Sequence, residues 1–269
     1  MQLRVGVLGL LAFAVSGGAM LGAGLRFPAS DQAELERPFT PAISMEKDRR
    51  AAPEEFARRA GLSLQDEVGA TGLVRCGPAT GTGQLTVRNN VITTAAHVLI
   101  DERGQRRVGC MFEPMTGLDP IPIDYESIQT GSAMPLSNRA TKDWAVARLV
   151  APVRGANPYA VASSLSLPSI ILMCAGGNKA FAAMGMERCN ARKVIGKAAD
   201  GIREIAIDCN AGPGSSGAAL LSGKKVLGIY VGYRSKHPER AQAFSDTHYN
   251  FAITVEGPFK RALLAASGQ

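Results

Sequence analysis

Pro213-Gly214-Ser215-Ser216-Gly217-Ala218-Ala219-Leu220 sets two adjacent serines between glycines. A serine hydroxyl is a weak nucleophile at neutral pH. Acyl chemistry at such a turn needs a histidine to take the proton and a carboxylate to hold that histidine in one tautomer. Upstream the chain carries both, in two short islands. Thr94-Ala95-Ala96-His97 closes the run Val91-Ile92-Thr93-Thr94-Ala95-Ala96, so His97 stands where a strand gives way to a turn. Asp143-Trp144-Ala145-Val146 opens an apolar stretch reaching Val150, where an unpaired buried carboxylate is costly. Each island alone has an ordinary reading: a Gly/Ser turn, a core histidine, a solvent-facing aspartate beside Lys142. In combination they are candidates for a nucleophilic triad. Of the other two histidines, His237 lies in the charged loop Lys236-His237-Pro238-Glu239-Arg240 and reads as solvated, and His248 precedes an apolar strand and reads as structural. Three scattered histidines without close Cys or carboxylate spacing predict no metal site and no cofactor.

These motifs, in the order His, Asp, Ser, resemble those of the trypsin-like (chymotrypsin-fold) serine proteases. Gly81-Thr82-Gly83, just before the histidine strand, resembles the exported bacterial type in particular. The resemblance covers residues 66 to 262. It implies an all-β fold of two six-stranded antiparallel β-barrels with a short C-terminal helix. It also implies a serine endopeptidase acting through an acyl-enzyme on a protein or peptide substrate, with His97, Asp143 and Ser216 as the triad. In that fold the oxyanion hole is made by the N–H of the nucleophile and of the residue two before it. Ser216 then pairs with Gly214, whereas Ser215 would pair with Pro213, which has no N–H. The pocket walls come by resemblance from residues 210 to 214 and from the strand around Tyr230-Val231-Gly232-Tyr233. Asn210 stands where Arg/Lys-cleaving members have an aspartate, and Tyr230 where Glu-cleaving members have a histidine. The expectation is a preference for small or medium apolar residues. Ser215 stands where the animal enzymes carry the aspartate that pairs with a freshly cut N-terminus, and no Ile-Val-Gly-Gly start is present, so that activation switch is absent. Ala218-Ala219 replaces a common Gly-Pro, away from the chemistry. Three other readings compete. One is a catalytically silent protease-fold binding module, which has no need of a complete triad and Gly214. Another is an esterase or other acyl hydrolase of the α/β-hydrolase type, which requires Ser before Asp before His and a Gly-x-Ser-x-Gly elbow that is incomplete here. The third is a membrane-tethered quality-control protease, if the N-terminal segment is retained.

At 269 residues, 46% hydrophobic and with 30 glycines, the chain can build a sizeable core with many turns. Its net charge of +7 comes from dispersed basic residues, not clusters interleaved with aromatics, which argues against nucleic-acid binding. Residues 1–26 begin Met1-Gln2-Leu3-Arg4, continue uncharged from Val5 to Leu25, and read as a signal peptide cleaved after Ala19 or Ala23, or as a retained anchor. Membrane contact is expected only in the second case. The catalytic part is placed outside the cytoplasm, periplasmic or secreted. Five cysteines fit an oxidising compartment. The expected pairing is Cys76–Cys110 and Cys189–Cys209 with Cys174 a buried thiol, although five cysteines allow other connectivities. Residues 27–65, polar and proline-bearing, read as a linker or pro-segment with a helix from Glu46 to Ala60. Residues 66–150 read as the first barrel, 151–168 as an inter-barrel linker, and 169–269 as the second barrel with a helix from Pro258 to Ala266. The sequence does not set the oligomeric state.

Overall fold

Short apolar runs punctuated by glycine turns become strands, as period-two patterning demands. The computed structural model describes residues 43–176 and 184–269. Helix α1 (Pro53–Ala60) and helix α2 (Leu64–Val68) precede the strands. The expected helix from Glu46 starts only at Pro53, because proline lacks an N–H and fits the first turn but not a helix interior. The first half holds β1 (Thr71–Cys76), β2 (Ala79–Leu85), β3 (Val91–Thr94), helix α3 (Ala96–Leu99), β4 (Met111–Pro114), β5 (Ile121–Pro122), β6 (Gln129–Thr130) and β7 (Ala145–Arg148). They form one sheet in the order β5-β4-β1-β2-β3-β7-β6. This half-barrel is not closed by a strand ladder, although an isolated bridge joins Ile123 to Leu149.

The second half holds β8 (Ala160–Val161), β9 (Ser169–Gly176), β10 (Met184–Lys197), β11 (Arg203–Ile207), β12 (Ala219–Ser222), β13 (Lys225–Ser235), β14 (His248–Thr254) and helix α4 (Gly257–Ala266). Pairing of β12 with both β9 and β13 closes six strands into the expected barrel, and β8 joins β13 in parallel. Inward-facing residues alternate along these strands. Ile171, Met173, Ala175, Ile205, Ile207, Leu220 and Ala252 fill the barrel, and a larger cluster runs continuously between the two halves.

Residues 43–52 do not stand apart from the sheets. Asn250 Nδ2 donates to the Ile43 carbonyl at 2.9 Å, and His248 Nε2 donates to that of Ser44 at 3.1 Å. The Met45 N–H donates to Asn210 Oδ1 at 2.9 Å, and Ala51 exchanges both backbone bonds with Met186. Ile43 and Met45 are buried. Polar composition suggested a tether here. Buried side-chain amides and an imidazole that read its backbone hold this segment on the second barrel instead.

The bonds Cys76–Cys110 and Cys189–Cys209 are both present, and Cys174 is free and buried. They span sequence separations of 34 and 20, for which chain entropy gives a stabilisation of about 3–4 kcal/mol each. Burial pushes the Cys174 thiol far above the range in which a thiolate forms. The native protein is therefore expected to leave Ellman's reagent unreacted and to release one thiol per chain on unfolding in denaturant. Rapid reaction of a thiol in the folded state would contradict this burial.

Candidate active site

Strand β3 delivers the histidine. Its last residue, Thr94, leads through Ala95 into the single turn of α3, and His97 occupies the second position of that turn, 9% exposed. Asp143 follows a turn of 3₁₀-helix at Ala140–Lys142, just before β7, and is 5% exposed. Strands β3 and β7 are paired, Thr94 opposite Ala145, which brings the two residues together. Asp143 Oδ1 accepts the His97 backbone N–H at 3.0 Å, and Oδ2 lies 2.7 Å from His97 Nδ1. An ionised carboxylate can only accept, so Nδ1 carries the hydrogen and Nε2 is left as the basic nitrogen. Both neighbours of Asp143 are held by the second half of the chain. Lys142 Nζ donates to Asp200 at 2.6 Å, and the Trp144 ring stacks on Phe259 of α4 with centroids 5.1 Å apart.

The serine loop, between β11 and β12, is pinned to β2 and to the end of β3. The Thr82 N–H donates to the Ser216 carbonyl at 2.8 Å, and Thr82 Oγ1 donates to the Gly214 carbonyl at 2.8 Å. Gly217 has φ +88°, and a Cβ there would lie 2.3 Å from both Thr82 O and Thr94 Oγ1 and 2.7 Å from Ala95 N. Only glycine permits that approach, and it sets the serine loop against the residues that lead to His97. Gly214 likewise has φ +94°. Among the described residues no hydrogen bond uses the Gly214 or Ser216 N–H. The two serines differ. Ser215 is fully buried; its Oγ accepts the Gly212 N–H at 2.9 Å and donates to the Gly176 carbonyl at 3.2 Å. Ser216 is 3% exposed.

Among the residues expected to wall a substrate pocket, Asn210 and Tyr230 have no exposed surface, whereas Tyr233 does. Asn210 is completely buried. Its Nδ2 donates to Glu187 Oε2 and to the Lys47 carbonyl, each at 3.0 Å, its Oδ1 accepts from Met45, and its N–H donates to Glu187 Oε1. Tyr230 is also completely buried and donates its O–H to Asn250 Oδ1 at 3.1 Å. Val231 sits in a bulge of β13, where the register against β14 shifts between Tyr230 and Gly232; Tyr233, opposite Asn250, is partly exposed. Sequence reading did not identify Glu187. It is 1% exposed, in phase with the barrel-facing Cys189 on β10, and burial pushes its carboxyl above the usual range despite the Asn210 hydrogen bonds and the nearby Arg49. A carboxylate in phase with Gly185, Cys189 and Ala191 along an otherwise apolar strand face was the available signal. Glu187, Cys189 and Cys209 lie close together, but both cysteines are bonded to each other, so this group does not offer a thiolate metal site.

No protein-family model and no curated protein sequence matches the chain. Solved structures do. A Glu endopeptidase in complex with MPD is similar over 84% of this chain and all of its own, at 12% identity and a TM-score of 0.64. The active form of the Rv3671c protease from M. tuberculosis is similar over 86% and 93% of the two chains, at 17% identity and TM-score 0.53. The protease Anisep from Arthrobacter nicotinovorans covers 76% and 98%, at 12% identity and TM-score 0.52. The paired sheets, the closed second barrel and the terminal helix therefore give this chain the chymotrypsin-like fold of serine proteases.

Proposed function

We propose that the protein is a serine endopeptidase that hydrolyses peptide bonds through an acyl-enzyme. The single observation that carries this reading is the pair of hydrogen bonds that His97 donates to Asp143, buried beside a serine loop that glycine holds against the His97 strand end. Ser216 attacks the carbonyl carbon. His97 Nε2 takes the hydroxyl proton and then gives it to the leaving amine; water repeats the sequence on the ester and frees the acid. Asp143 holds the imidazole in the right tautomer. The N–H groups of Gly214 and Ser216 receive the negative oxygen, where one donor is worth roughly 3 kcal/mol. Two completely engaged hydroxyl bonds on Ser215 support Ser216 as the attacking residue. A silent binding module would have no use for this arrangement. The substrate is a protein or peptide.

The preferred residue before the cleaved bond is small or medium and apolar. The Asn210 side-chain amide is engaged at both ends and Tyr230 is sealed, so neither side chain offers a charge or a free donor to a substrate side chain. Cleavage-site profiling with a peptide library is expected to return such residues. A profile dominated by Arg or Lys would overturn it and make Glu187, directly behind Asn210, the counter-charge. The two disulfides fit an exported protein, periplasmic or secreted. No helix among the described residues is long and apolar enough to cross a membrane; the signal peptide or anchor read at residues 1–26 lies outside them. The test of the activity is labelling of the purified, disulfide-intact protein with a fluorophosphonate. Covalent labelling is expected, and a folded protein that stays unlabelled would sink the proposal.

A further inference from the structure

We infer that Thr82 and Ser215 are positioning residues that hold the oxyanion loop in its working shape, so that the loop is set by neutral hydrogen bonds and not by an ion pair formed on N-terminal cleavage. The inference rests on the proposed protease activity. A backbone loop presents two N–H groups to one oxygen only if its peptide planes are fixed, because rotating a single plane replaces a donor with a carbonyl. Here the carbonyls on that loop are fixed individually. Thr82 takes the Ser216 carbonyl with its N–H and the Gly214 carbonyl with its Oγ1–H. Its Oγ1 in turn accepts the Gly176 N–H at 2.8 Å, and its own carbonyl accepts Thr94 Oγ1–H at 2.7 Å. Ser215 closes the circuit from within the loop. Its hydroxyl joins the Gly212 N–H to the Gly176 carbonyl, while its N–H donates to the Gly212 carbonyl at 2.9 Å.

Thr82 and Ser215 thus meet on the two backbone groups of Gly176. Both hydroxyls are completely buried, and each gives one hydrogen bond and accepts one. A buried hydroxyl in that state has no better arrangement, because moving the loop would leave its partners unpaired away from water. The position beside the nucleophile is uncharged and already satisfied, so no new N-terminus is required to order it.

The experiment compares wild type, Thr82→Val, Thr82→Ser and Ser215→Ala. It measures kcat and KM on a cleaved peptide, inhibition by a peptide boronate that mimics the tetrahedral adduct, and thermal unfolding. Thr82→Val and Ser215→Ala are expected to lose about 10- to 100-fold in kcat and in boronate affinity, with KM within about twofold. Thr82→Ser, which keeps the hydroxyl, should stay within about threefold of wild type. A loss in kcat alone, rescued by serine, is not what a general loss of packing produces. Wild-type kcat in Thr82→Val, or equal losses in Thr82→Ser and Thr82→Val, would overturn the inference while labelled wild type upholds the activity. Should Thr82→Val not fold, unchanged kcat in Ser215→Ala overturns it. Unlabelled, folded wild type overturns activity and inference together.

Discussion

Ser216→Ala is expected to be inert to a fluorophosphonate and to lose about 10⁶-fold in kcat, leaving the residual rate that binding and an oxyanion hole give without a nucleophile. The loss is that large because the triad acts as a unit: without the hydroxyl, His97 has no proton to take. Substrate affinity should be little changed, since the change removes one oxygen. Thermal unfolding should also be close to wild type, because the Ser216 backbone carbonyl still accepts from Thr82 and the loop keeps its anchors. Ser215→Ala is the informative control. Its hydroxyl is spent on Gly212 and Gly176, so that variant should still be labelled to one equivalent per chain, more slowly. Stoichiometric labelling of Ser216→Ala, with none of Ser215→Ala, would reverse the assignment. It would also require an oxyanion hole built without the missing Pro213 N–H.

The residues proposed to meet the chemistry stood out in the sequence because each is constrained by local backbone. His97 ends a β-branched run, Asp143 begins an apolar one, and Gly214 and Gly217 adopt positive φ that the side chains of other residues resist. The two disulfides were legible for a related reason, since each joins a strand residue, Cys76 or Cys189, to a cysteine just beyond the end of a neighbouring strand. The first half is harder. Pro122 ends β5 after two residues, and Asp124 caps a 3₁₀ turn at Tyr125–Ser127. What supports the site was not legible. Thr82 is set only 12 residues before Thr94 but 132 before Gly214, and Asn210 meets Met45 and Lys47 across more than 160 residues. Such partners are chosen by barrel closure and not by local pattern. Periodicity marks Glu187 as facing inward, yet it cannot say that an asparagine waits there. For the same reason, residues 43–52 read as a tether until their backbone groups are seen to be bound one by one.

Asp143→Asn should retain the fold and lose about 10⁴-fold in kcat at neutral pH, with KM changed by no more than a few-fold. The carboxylate accepts twice from one residue, through Oδ1 from the His97 backbone N–H and through Oδ2 from Nδ1. An amide has one acceptor and one donor end, so it cannot reproduce both bonds. With its oxygen on the backbone N–H, its NH₂ faces Nδ1, which must then accept; the ring hydrogen moves to Nε2, and the nitrogen that should take the Ser216 proton is blocked. With its oxygen on Nδ1, its NH₂ confronts the backbone N–H, donor against donor, in a site where water cannot easily relieve it. The first arrangement costs less and is the inactive one. Two readouts separate this account from simple destabilisation. Nitrogen chemical shifts of the imidazole should report hydrogen on Nδ1 in wild type and on Nε2 in the variant. Thermal unfolding should move by far less than the roughly 5 kcal/mol that a 10⁴-fold rate loss represents. Wild-type kcat in Asp143→Asn, or an unchanged tautomer alongside the lost rate, would remove Asp143 from the triad and leave its buried bonds to His97 a matter of packing alone.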